Sequence, residues 1–188
     1  DRVLLHAGQQ ALRRSANWPE TLKLLDLPDS HPARTMALRA IADRYEPTVI
    51  EGVISRLEAD SSAAHRREYA EWLTRVWRRP AAWKYWGYRP APRPPHTVDW
   101  KMSRTIAMAL APVLGDDDRR VRVTALKSMR REGLPVSAET LANWLVQERD
   151  PLAVAALLEA VGSSSSEAST GLLADVVKDE RYKPSNRL

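Results

Sequence analysis

The chain of 188 residues contains no cysteine and no phenylalanine, and glycine occurs only seven times. Without cysteine it has no disulfide, thiolate metal site, thiol nucleophile or CxxCH haem attachment. No apolar run approaches the roughly 18–20 residues that a membrane-spanning helix requires, so we expect no membrane partner. Nor is there a P-loop, a dinucleotide-binding glycine motif or a nucleophile elbow. We therefore predict no cofactor and no enzymatic activity.

Charged residues are plentiful but unevenly placed. The chain has 29 Lys and Arg against 24 Asp and Glu, a net charge of +5. Residues 80–104 carry five basic side chains against one acidic one, in a stretch that is also rich in Pro and Trp. With 44% hydrophobic residues, the chain has the composition of a folded protein rather than a disordered one.

Apolar residues recur at the spacing of amphipathic helices. Examples are Tyr69, Trp72, Leu73 and Val76, and Ala153, Ala156, Leu157, Ala160 and Val161. This i, i+3, i+4, i+7 pattern predicts an all-α fold, and no stretch indicates a strand. Asp116–Asp118 and Asp150 precede predicted helices, where they are typical of N-caps. A catalytic carboxylate cluster is the alternative interpretation of Asp116–Asp118, and capping is favoured over it.

The helices follow a repeat of 32 residues. Arg34 and Arg66 occupy the same position in the repeat, as do Arg122 and Val154. Arg66 and Arg122 are 56 residues apart, which is one repeat plus about 24 residues, so one repeat carries an insertion at about 80–100. The spacing predicts about five helical pairs, at 1–28, 29–60, 61–115, 116–149 and 150–188. Apolar residues near both ends lead us to expect a fragment of a longer chain.

The repeat also carries a recognisable motif. Val121-Arg122-x-x-Ala125-Leu126, preceded by Asp118, resembles the first helix of HEAT repeats. The resemblance implies a single HEAT-like, armadillo-like domain over 1–188. It also implies a right-handed α-α superhelix, an α-solenoid of about five helical pairs with one long Trp/Pro-rich loop insertion.

The insertion has a resemblance of its own. Residues 83–90 read Trp-Lys-Tyr-Trp-Gly-Tyr-Arg-Pro, and Val98-Asp99-Trp100 follows. They are similar to a W-W-G-x-R-P element in the HEAT region of large secreted bacterial proteins. Those proteins combine a sugar-dehydrogenase-like propeller and a c-type cytochrome domain. The resemblance implies a spacer or docking scaffold in a periplasmic or secreted multidomain protein.

Aromatic and basic side chains gather in and beside the insertion. Its candidate partner- or ligand-binding residues are Trp77, Trp83, Tyr85, Trp86, Tyr88, Arg89, Arg93, His96 and Trp100. One interpretation is that the rings fold back as a small core and pin the loop. The other is direct contact with a neighbouring domain of the parent chain, another protein or a polysaccharide, since Trp, Tyr and Arg are enriched in binding sites.

Three other functions have weaker support. The arginine content permits a basic HEAT-like nucleic-acid-binding or DNA-glycosylase-type domain, but the net charge is modest and residues 105–188 are slightly acidic. We expect the repeated arginines to pair with acidic caps of adjacent repeats. Asp99, the one acid of residues 80–104, is a poor basis for catalysis. The four histidines lack the spacing of metal ligands, so we predict no metal site.

Overall fold

A computed structural model describes residues 2–83 and 92–162. Within these ranges the chain is mostly helical, which confirms the all-α prediction. The helices are α1 (Arg2–Ser15), α2 (Trp18–Lys23), α3 (Pro32–Ile41), α4 (Pro47–Ala59), α5 (Ala63–Val76), α6 (Ser103–Leu110), α7 (Arg119–Arg131), α8 (Ala138–Gln147) and α9 (Pro151–Gly162). Short 3-10 turns follow α2 (Leu24–Asp26) and α6 (Ala111–Gly115). The expectation of no strand was wrong, because β1 (Arg79–Pro80) pairs with β2 (His96–Val98).

Contacts divide the chain into an N-terminal unit, Asp1–Leu110, and a C-terminal unit, Ala111–Leu188. In the N-terminal unit α1 packs on α3, α2 packs on α4, and α5 packs on both α4 and α6. Its core contains Leu25, Ile41, Ile50, Tyr69, Leu73 and Ile106, all almost fully buried. Among the helices that the structure describes, none is both long and apolar enough to cross a bilayer.

Two glycines allow the first helices to approach closely. A Cβ atom on Gly8 of α1 would press against the Met36 sulfur of α3. One on Gly52 of α4 would press against a methyl group of Leu22, which is buried on α2. Both contacts leave no room for a larger side chain unless the neighbour moves.

In the C-terminal unit α7 packs on α9 and on the 3-10 turn, and α8 packs on α9. Val121, Leu126, Met129, Leu141 and Leu157 are buried there. Residues 163–188, where we predict the second helix of the fifth pair, lie outside the described residues.

Aspartates cap α7 and α9 of this unit as predicted. Asp118 Oδ1 accepts hydrogen bonds from the amides of Arg120 and Val121, at 2.7 and 3.2 Å. Asp150 Oδ1 accepts from the amide of Ala153 at 3.0 Å. These bonds satisfy amides that the first turn of a helix leaves unpaired, so capping accounts for both carboxylates.

Two repeated arginines hold the loop that precedes their own helix. Arg66 Nη1 donates to the carbonyls of residues 60 and 61, at 3.0 and 2.9 Å. Arg122 Nη1 donates to the carbonyls of residues 116 and 117, at 2.7 and 3.2 Å. The two side chains therefore reach back by the same five and six residues. Two of the repeated arginines also pair with carboxylates. Arg34 Nη2 lies 2.7 Å from Glu68 Oε2, which is inside α5 and not at the expected helix cap, and Arg122 Nη2 lies 3.4 Å from Glu148 Oε2.

His65, at the start of α5, bridges two loops. Its Nε2 lies 2.8 Å from Asp29 Oδ1, before α3, and its Nδ1 lies 2.8 Å from Asp60 Oδ2, after α4. Only an imidazolium donates from both ring nitrogens. Burial lowers the pKa of His65, but the hydrogen bonds to the two carboxylates outweigh burial and raise it above 6.5.

Candidate functional site at the base of the insertion

The two strands close the base of the insertion between α5 and α6. Arg79 is paired with Val98 and Pro80 with His96, in antiparallel register with an irregularity between the two pairs. Directly beyond them, the amide of Ala81 donates to the carbonyl of Pro95 at 3.3 Å. The chain therefore leaves and returns to the helices at nearly the same point.

Side chains anchor this base to the end of α5. Trp100 Nε1 donates to the carbonyl of Val76 at 3.1 Å, and Ser103 Oγ donates to the carbonyl of Trp77 at 2.7 Å. Trp77 is itself only 6% exposed. These bonds satisfy carbonyls that the end of a helix leaves free. Trp77 and Trp100 thus attach the insertion to the helices.

A stacked cluster joins the base to the loop between α3 and α4. The Arg79 guanidinium carbon lies 4.7 Å from the Trp100 ring centroid and 5.3 Å from that of Tyr45. Tyr45 meets Trp100 edge-to-face at 5.5 Å, and Arg79 donates to its backbone carbonyl at 3.1 Å. Cation–π and edge-to-face contacts of this kind favour one arrangement of the base.

His96 is held by a hydrogen bond to a backbone carbonyl, and Asp99 is held by an ion pair. His96 Nδ1 lies 2.9 Å from the carbonyl of Arg75, so Nδ1 carries the hydrogen and Nε2 does not in the neutral ring. Asp99 forms an ion pair with Arg78 Nε at 2.7 Å, and the Arg78 guanidinium lies over the Trp77 ring at 4.1 Å. The single acid of residues 80–104 is therefore paired with a cation.

Next to this base is a cavity of about 420 Å³, which we call the insertion cavity. It is lined by Tyr45, Arg75, Pro80, Trp83, Arg93 and His96, among others. Trp83 is 54% exposed and Arg93 is exposed as well. Asp43, also on the wall, pairs with Arg75 at 2.9 Å. The cavity therefore combines apolar rings and prolines with a basic side chain at its surface.

The predicted site residues divide into three groups. Trp77 and Trp100 pin the base, whereas Trp83, Arg93 and His96 line the insertion cavity. Tyr85, Trp86, Tyr88 and Arg89 lie outside the described residues.

Asp43, Tyr45 and Arg75 were not predicted from the sequence, and they come from the neighbouring loop and from α5. Asp43 and Arg75 are 32 residues apart, the length of the repeat, so their spacing was a usable signal.

No group of three or more metal-ligating side chains converges anywhere in residues 2–83 and 92–162. No family model, curated protein or solved structure matches this chain. The geometry of the insertion cavity is therefore the main basis for a functional proposal.

Proposed function

We propose that this chain is a non-catalytic scaffold and protein-interaction module, a spacer or docking segment of a larger, redox-associated multidomain protein. Its partner would be a neighbouring domain or another protein, bound at the insertion cavity. One observation carries the proposal. The base of the insertion is pinned by Trp77 and Trp100, while Trp83 and Arg93 stay exposed beside it.

The chemistry of the cavity suits a protein partner. Large aromatic and arginine side chains dominate the energetic centres of protein interfaces. A surface that is already ordered loses less conformational entropy on binding, and the stacked contacts of Arg79 order this one. The Nε2 atom of His96 and the Arg93 guanidinium add polar groups that can orient a partner.

The repeat itself supports a HEAT-like, right-handed superhelix as the scaffold. Stacking α1 on α3 and α2 on α4 brings together helices at equivalent positions of successive pairs. Arg66 and Arg122 bind the same two loop positions in different repeats. Both features are expected of a solenoid built from one repeated unit.

The contacts of the repeated arginines favour a protein partner over nucleic acid. Arg34, Arg66 and Arg122 are engaged by carbonyls and carboxylates of the chain itself. Phosphate binding would need basic groups that recur along one face and face solvent. The ion pair between Asp99 and Arg78 supports a structural role for Asp99 within this proposal.

A site-specific photo-crosslinker tests the proposal. We would place it at Arg93 in the full-length protein, in the organism that encodes it, and at Met108 as the control. Met108 is 65% exposed on α6 and does not line the cavity. We expect crosslinks to one protein or domain from position 93 only. Equal crosslinking from both positions would contradict the proposal.

The captured partner then allows an affinity measurement. Trp83→Ala should weaken binding at least about tenfold, because a central aromatic contact contributes roughly 2 kcal/mol or more. Met108→Ala should leave the dissociation constant unchanged. If Trp83→Ala bound equally well, the cavity would not be the docking site. Salt-sensitive binding of duplex DNA that is lost in Arg93→Ala would instead support the nucleic-acid alternative.

A further inference from the structure

A second cavity, of about 450 Å³, lies in the C-terminal unit and has no part in the proposed function. It is bounded by α7, α8 and the 3-10 turn Ala111–Gly115. We call it the α8 groove.

The floor of the α8 groove is polar but internally neutralised. Trp144 Nε1 donates to Glu148 Oε2 at 3.0 Å, and Arg122 Nη2 lies 3.4 Å from the same oxygen. The Arg122 guanidinium also lies 5.4 Å from the Trp144 ring. Since the cation and the carboxylate compensate each other, the floor suits an uncharged ligand.

The rim carries two amide side chains. Asn143 and Gln147 both line the groove and are exposed. No hydrogen bond in the part of the chain that the structure describes engages either amide. A carboxamide offers a donor and an acceptor side by side, which matches a group that both donates and accepts.

The positions of Asn143 and Gln147 along α8 match the repeat of an extended peptide. Residues four apart on a helix are separated by about 6 Å along its axis. An extended peptide repeats along one edge every two residues, or about 6.6–6.8 Å. On that edge each alternate residue presents one N–H and one C=O, the complement of a carboxamide.

We propose that the α8 groove binds the main chain of an extended, uncharged peptide segment. Asn143 and Gln147 would each pair with the N–H and C=O of alternate residues. A polysaccharide is the weaker candidate, because sugars stack on open aromatic faces. Trp144 is only 8% exposed and has Arg122 over its ring.

The probe is a blocked hexapeptide of alternating serine and valine, since reading of the main chain does not depend on sequence. Titrated into the ¹⁵N-labelled protein, it should shift the side-chain amide signals of Asn143 and Gln147 saturably. The expected dissociation constant is roughly millimolar, because a few main-chain hydrogen bonds that replace bonds to water bind weakly. The same peptide N-methylated at alternate amides should bind about tenfold more weakly.

Variants locate the site. Asn143→Leu should weaken binding of the hexapeptide about tenfold. Gly115→Leu should fold normally, because a Cβ atom there would meet nothing within 4 Å. Its side chain should block the groove, because Gly115 lines the wall. Gly162→Leu is the matched control, since its Cβ would also meet nothing within 4 Å and it lies outside the groove.

Three results would overturn the inference. The hexapeptide could leave both amide signals unmoved, or the N-methylated peptide could bind equally well. A neutral hexasaccharide could shift the signals while the peptide does not, which would make the groove a carbohydrate site.

Discussion

Glu148, which follows α8, combines burial with a full set of hydrogen-bond donors. Its Oε1 accepts from the amides of Arg149 and Asp150, at 2.9 and 3.0 Å, and its Oε2 accepts from Trp144 and Arg122. Burial raises the pKa of Glu148, but these donors outweigh burial and lower it from 4.5 to about 2. The folded state therefore favours the ionised form.

The size of this effect follows from linkage. The interval between 4.5 and about 2 corresponds to about 3 kcal/mol. Because the folded-state pKa is depressed, this stability is present above pH 4.5 and is lost as the pH falls toward 2. Glu148→Gln keeps the shape but turns one acceptor into a donor that faces other donors. We expect it to lower the free energy of unfolding by about 2–3 kcal/mol at pH 7.

Denaturant unfolding at pH 7 and pH 3 measures this cost. Trp144 is the single tryptophan after residue 100, so its fluorescence contributes a signal from the C-terminal unit. Hydrogen exchange at the amides of Arg149 and Asp150 should accelerate in Glu148→Gln, because both amides lose an ionised acceptor.

Glu159→Gln is the matched control. Glu159 pairs with Arg130 at the surface, with 61% of its side chain exposed, and such pairs contribute roughly 0–1 kcal/mol. A loss of stability in Glu148→Gln no larger than that in Glu159→Gln would contradict this prediction. So would a loss in Glu148→Gln that is as large at pH 3 as at pH 7.

Two further predictions concern the N-terminal unit. The raised pKa of His65 gives stability that is complete below pH 6.5 and is lost as the pH rises through the folded-state pKa. The melting temperature should therefore decline between pH 6 and 9, and His65→Asn should remove this decline. An unchanged decline in the variant would disprove the prediction. Gly52→Ala should destabilise by about 1–3 kcal/mol because it presses on buried Leu22. Gly8→Ala meets only the flexible Met36, so it should be neutral or stabilise the protein by up to ~1 kcal/mol. Denaturant titrations measure both variants, and changes in stability of the same sign for Gly8→Ala and Gly52→Ala would contradict this contrast.

The features that the sequence predicted well depend on local chemistry. Apolar spacing reports which face of a helix is buried, and Asp118 and Asp150 mark helix starts because a short carboxylate reaches amides two or three residues ahead.

The features that were missed depend on contacts distant in sequence. Arg79–Pro80 and His96–Val98 are too short to show alternation, so only their pairing makes them strands. Tyr45 lies in a loop of the preceding helical pair, and nothing near it in sequence indicates that Arg79 and Trp100 pack on its ring. The repeated arginines were expected to pair with acidic caps, but Arg66 and Arg122 also bind carbonyls of the loops that precede their own helices, which no residue type reveals.

The strand pair at the base of the insertion has a consequence for the variability of this protein. Strands in a ladder hold their chains about 5 Å apart, whatever the length of the segment that joins them. Segments of different length and composition could therefore replace residues 82–94 without shifting α5 or α6. Under the proposed docking function, binding specificity could diverge at this position while the helical framework stays unchanged, and new loops could be grafted there by design.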